Sequence, residues 1–179
     1  MSTATKLLTV EEFDAIPNPP GGVYELFNGE LVFVGYPEIG QTRCQRQLRT
    51  ILSGVAGNNW VVDVEWPYRA EAEYQMWAAD VAVISVERFR RIRRWLEGAP
   101  DLVVEVLSPS SAFAEMETKA ALCLANGAKE FWMVNPDRRS VTVYGPGMQS
   151  NRFVEGQSIS LAGALGGGEL AVSAIFAAE

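Results

Sequence analysis

The order of apolar runs predicts a mixed β-sheet flanked by helices, in the α/β or α+β range. Three observations carry that reading. An Asn28-Gly29 pair joins two strand-like runs near the N-terminus, which predicts a β-hairpin. Leu102 to Leu107 is apolar on both faces, as suits a central strand covered on both sides. Two segments with helical apolar spacing alternate with further strand-like runs. The 179 residues, 48% of them hydrophobic, suit one domain over 1–179, with enough apolar surface to bury a core.

The elements follow in order. Residues 9–14 read as a short helix capped by Thr9, and Ile16 to Gly22 interrupts regular structure. Val23–Leu26 and Glu30–Gly35 are the hairpin strands. Cys44, Leu48, Ile51, Leu52 and Val55 give helical spacing over 41–56, ended by Gly57. Trp60–Tyr68 and Ala79–Ser85 read as antiparallel strands joined by a turn. After the central strand, Ser108 to Ser111 is expected as a loop and helix cap. A helix over 113–126 is closed by Gly127. Lys129–Asn135 and Ser140–Tyr144 read as strands around Pro136-Asp137. The tail from Phe153 is weakly patterned, with a last helix or turn over 172–177.

Composition narrows the chemistry. There is no histidine, which removes Ser-His-Asp and Cys-His catalysis and histidine metal sites. Cys44 and Cys123 form no CxxC pair, so a disulfide framework or thiolate zinc site is not expected and a reducing compartment fits best. The first residues lack the apolar core of a secretory signal, and 160–178 is too rich in small residues for a membrane span. A cytoplasmic protein is the expectation. The net charge of −7 argues against a generic coat on nucleic acid.

Glu105 stands inside the apolar run. An ionised carboxylate there needs a cation, a cluster of donors or a proton. The plainer alternative is a strand-end acid paired with an arginine. Asp80 opens the run Val81 to Ile84; alone it reads equally as a strand-edge or turn residue. Lys119 lies on the stripe Met116, Lys119, Ala120, Cys123 and Leu124, so it points with the core face. Its plainer alternative is a surface pair with Glu115. Two acids and an inward lysine can hold a hard divalent ion through oxygens and act on a phosphoryl group.

The segments Tyr24–Leu26 with Gly29–Leu31, Asp80–Val83, Asp101–Ser110, Lys119 and Gly127–Pro136 resemble the Uma-two family. This is a bacterial group of nucleases within the PD-(D/E)XK restriction-endonuclease-like superfamily. The likeness runs from Thr9 to Phe176 and is most specific over Asp101–Ser110. It implies a restriction-endonuclease-like core, Mg²⁺ or Mn²⁺ on Asp80 and Glu105, and phosphodiester hydrolysis. The usual lysine two residues after the glutamate is replaced by Leu107, and the resemblance implies Lys119 in its stead. It also places an N-terminal acid of the site at Glu25. Ala79 stands where proline is typical, Gln41 where histidine is common, Cys123 where tyrosine is common and Asn135 where aspartate is usual. Nucleases of this kind often pair to cut two strands, so a homodimer is a further expectation.

Arg88, Arg90, Arg91, Arg93 and Arg94, interleaved with Phe89 and Trp95, suit a phosphate backbone; a solvated helix or loop is the plainer alternative. The segment directly follows the Asp80 strand, which favours contact with DNA. Three functions are set against one another. The first is a metal-dependent DNA endonuclease. The second is a catalytically inactive nuclease-fold module that binds DNA or regulates. The third is an enzyme of small phosphorylated substrates, which no phosphate-cradling motif supports: Gly166–Gly168 lacks the spacing of a P-loop or dinucleotide site.

Overall fold

Thr9 and Glu12 cap each other reciprocally and start α1 (Val10–Phe13). The computed structural model describes residues 7–71, 73–108 and 113–177. The expected loop and cap over 108–111 falls mostly outside them. β1 (Gly22–Phe27) and β2 (Glu30–Gly35) pair antiparallel, and Asn28 and Gly29 both take positive φ, as a tight hairpin turn with right-handed twist requires. α2 (Ile39–Ala56) starts two residues before the expected point. Glu38 and Gln41 form its capping box, which the apolar pattern alone did not reveal.

β3 (Trp60–Arg69) and β4 (Trp77–Ser85) form the long antiparallel pair. After them come α3 (Val86–Phe89), β5 (Leu96–Glu97) and β6 (Leu102–Val106). α4 (Phe113–Ala125) crosses over to β7 (Glu130–Asn135), which pairs parallel with β6. β8 (Ser140–Tyr144) and β9 (Ser150–Val154) finish a seven-stranded mixed sheet in the order β5-β3-β4-β6-β7-β8-β9.

The weakly patterned tail proves to be structured. It holds β9, β10 (Ser158–Ser160), α5 (Ala162–Leu165), β11 (Glu169–Ala171) and α6 (Val172–Ile175). β9 escaped the sequence reading because it is an exposed edge strand and carries no apolar alternation. β5 is only a two-residue strand and leaves no periodicity to read.

The sheet separates two cores. Val81, Val83, Leu102, Val104 and Val106 face α2 and the C-terminal segments. Ala82, Ile84, Val103 and Met133 face Ala120 and Cys123 of α4. Thus β6 is covered on both faces, as its composition predicts, and Glu105 alternates onto the α4 face. A third small core of Val10, Leu26 and Met76 seats the hairpin on the body. Among the described residues no helix is long and apolar enough to cross a membrane.

Candidate active site

β4 and β6 hydrogen-bond from Val83–Leu102 to Val81–Val104, and there the ladder stops. The next residues along are Asp80 and Glu105. The Asp80 carboxylate takes over the role of a ladder acceptor: its Oδ2 accepts from the Val106 N–H at 2.5 Å. On its other side the β3–β4 ladder is also interrupted, between the pairs Val64–Val81 and Trp66–Ala79. Glu65 occupies that interruption with φ 50, a left-handed conformation that costs a non-glycine residue roughly 1–2 kcal/mol.

α2 reaches this gap from one face. The Gln45 amide donates to Asp80 Oδ1 and to Glu65 Oε1, each at 2.7 Å, although Gln45 itself is almost fully buried. Gln41 bonds at both ends within the protein. Its Nε2 donates to the Val106 carbonyl at 3.2 Å and its Oε1 accepts from the Glu38 N–H at 3.1 Å.

α4 reaches it from the other face. Lys119 Nζ lies 2.9 Å from Glu105 Oε1 and 3.9 Å from Glu25 Oε2, and sits over the Trp77 ring at 5.4 Å. Glu25 is fixed in turn by the Ala78 N–H, which donates to its Oε1 at 2.8 Å. Among the described residues the Lys119 ammonium is the one donor that meets the buried Glu105 Oε1. The surface pair of Lys119 with Glu115 does not form: Lys119 is buried.

Burial pushes the Asp80 carboxyl up to about 6, against the opposing pull of the Val106 N–H, Gln45 and Lys119. It pushes Glu105 up to about 8; Lys119 opposes this, and Asp80 and Glu25 add to it. For Lys119, burial alone would lower the pKa. The carboxylates of Glu105 and Glu25 more than reverse this and hold it protonated. The network therefore joins four carboxylates, Glu25, Glu65, Asp80 and Glu105, to one ammonium. Such an excess of negative charge favours a cation.

The structure thus brings Glu25, Asp80, Glu105 and Lys119 together, with Gln41 at the end of β6. Gln45 and Glu65 were missed. Gln45 had a signal: Gln41, Gln45, Leu48 and Leu52 share one helical face, so the buried stripe continues as amides. Glu65 had none, because its place depends on a break in the ladder.

The arginine segment lies elsewhere. Arg88 donates to Asp101 Oδ2 at 3.1 Å and to the Ala99 carbonyl at 2.7 Å, and so fixes the start of β6. Asp101 precedes Glu105 by four residues, about 13 Å of strand. Position after the Asp80 strand therefore does not bring Arg88 to the acids. Arg91 pairs with Glu87 and Arg94 with Asp14.

A solved structure described as a "putative nuclease belonging to DUF820 from Anabaena variabilis ATCC 29413" shares this fold, with a TM-score of 0.81 at 19% identity over 94% of this chain and 97% of that one. No curated protein matches the chain. The model of the family described as "Uma2: Putative restriction endonuclease" matches residues 10–173, and the chain belongs to that family.

Proposed function

We propose that this protein is a divalent-metal-dependent DNA endonuclease that hydrolyses phosphodiester bonds. The observation that carries the reading is the meeting of Asp80 and Glu105 at the end of one ladder, with Lys119 2.9 Å from Glu105. Family membership and the nuclease description of the structural neighbour support it.

The residues fit Mg²⁺ or Mn²⁺. Among the described residues no three histidine, cysteine or acidic groups surround one point, so an ion would rest on Asp80 and Glu105 and keep water or substrate oxygens. Glu105 Oε1 meets only the Lys119 ammonium among the described residues, so it keeps a lone pair to give. A bound ion supplies charge neutralisation at the phosphoryl group and a water of lowered pKa. The protein's own groups do the rest. The Val106 N–H and Gln45 lock the Asp80 carboxylate in one orientation while each of its oxygens keeps a free lone pair. Lys119 holds Glu105 and, with three donors, can orient the attacking water or offset the growing negative charge. Glu25 steadies Lys119 from the other side. Gln41 positions the end of β6 by holding the Val106 carbonyl.

Arg90, Arg91, Arg93 and Arg94 enter as peripheral contacts to the DNA backbone, with Arg88 as a structural brace. A homodimer is part of the proposal. β2 exposes Leu31, Val32, Phe33 and Val34, and its outer edge has no partner strand among the described residues. A cytoplasmic setting fits two buried, unpaired cysteines.

Incubation of the purified protein with supercoiled plasmid and Mg²⁺ or Mn²⁺ should give nicked and linear products, and Glu105→Gln should abolish them. No nicking by the wild type, or equal nicking by the variant, overturns the proposal. One observation favours the inactive, DNA-binding module: both ends of the Gln41 amide are spent inside the protein, where the family often has a histidine. Calorimetric titration with Mn²⁺ separates the two readings, since an inactive module without a metal centre gives no binding heat.

A further inference from the structure

A cavity of about 620 Å³ opens beside the Glu105 end of the sheet, with Leu107 and Ser108 on its rim. Strand register places it. Glu105 is level with Met133, Met133 with Thr142, and Thr142 with Arg152. Partners level across a sheet point to the same face, so these four form one row on the α4 side. Strands lie about 4.8 Å apart, which puts Arg152 about 14 Å from Glu105 along that row. Met133 and Thr142 are its floor. Arg138 stands at the β7–β8 turn, and Phe113, 56% exposed, at the start of α4.

The charges here differ from those of the 88–94 segment. That segment lines a cavity shared with Glu11, Asp14 and Glu97, and three of its five arginines already pair with carboxylates. In the groove, neither Arg138 nor Arg152 has a carboxylate partner among the described residues, although Asp137 also lines it. Arg152 spends one donor on Ser140 Oγ at 3.2 Å.

We infer that this groove is the track of the strand being cut. Arg138 and Arg152 hold its phosphates a few nucleotides from the scissile bond, and the Phe113 ring takes an unpaired base. The inference rests on the nuclease reading but concerns binding, so the two can fail separately.

The test is anisotropy of a fluorescein-labelled single-stranded DNA oligonucleotide with Ca²⁺ present, over a range of salt. Arg138→Ala with Arg152→Ala should weaken binding at least tenfold. It should also lower the slope of log affinity on log salt by about 1.4, because each phosphate contact to a single strand contributes about 0.7. Replacing both by lysine should restore the slope. Phe113→Ala should weaken binding at least about fivefold at unchanged slope, as loss of a stacked base requires. Replacement of Arg90, Arg91, Arg93 and Arg94 by alanine should have the smaller effect. Unchanged affinity and slope in the double variant, or no binding by the wild type, overturns the inference. If the groove variants bind as wild type and plasmid nicking persists, the track alone is wrong. If binding depends on the groove but nothing is nicked, the catalytic reading alone is wrong.

Discussion

Glu105 and Lys119 stabilise each other only as a pair. Lys119→Met would leave the buried Glu105 and the half-buried Glu25 without their cation. Breaking a buried pair costs about 3–5 kcal/mol, so the urea midpoint at pH 8 should fall sharply. The sign with pH follows from Glu105, whose pKa burial raises to about 8. A raised carboxyl favours folding fully below its ordinary range and loses that contribution as pH climbs to the raised value. The variant should therefore recover part of its stability at pH 5, and a midpoint that is flat with pH would contradict this. Asp80 behaves alike, with its window ending near about 6. A cation that binds these two acids must displace their protons. Mn²⁺ affinity should rise from pH 5 to pH 8 by up to tenfold per unit for each proton released, and calorimetry in buffers of different ionisation enthalpy should detect that release. The acids and the lysine were legible because each breaks an apolar pattern. Gln45 was passed over although it continues the Leu48–Leu52 stripe, because an amide carries no charge to make it conspicuous.

At the scale of elements, periodicity located α2, α4 and the longer strands that carry buried residues. It failed at β5, β9, β10 and β11, which are short or exposed, and over the arginine segment, where the chain folds along the sheet edge. The hairpin was legible through its turn, and the turn matters to the site because β1 carries Glu25. Gly29 has φ +77, and a Cβ there would lie 2.7 Å from Leu7 Cβ. Gly29→Ala should cost about 1–2 kcal/mol from backbone strain alone, read as a lower melting temperature. It should also speed hydrogen exchange at the Ala78 amide, which loses its Glu25 acceptor when the hairpin loosens.

At the scale of the whole molecule, β2 stands out. It is apolar on both faces, a composition normally found inside a sheet, yet Phe33 is 55% exposed. Free edges of soluble proteins are commonly blunted by lysine, proline or a bulge, and Leu31 to Val34 has none. Phe33→Lys should shift the mass measured by light scattering toward the monomer with only a small change in melting temperature, since its ring contact, edge-on to Tyr24, lies at the surface. An unchanged mass would remove β2 from any interface.

The seat of the lysine has a kinetic side as well. Had the cation stood on β6, it would have been locked by the central ladder. It rides instead on α4, which joins the sheet by packing through Ala120 and Cys123 and by the 3.3 Å contact of Cys123 Sγ with the Tyr68 hydroxyl. Withdrawal of one helix thus strips the acids of their counter-charge while the sheet stays intact. Under mild denaturant, exchange of the α4 amides should accelerate before that of β6, and the proposed nicking should decay with the helix rather than with the global transition.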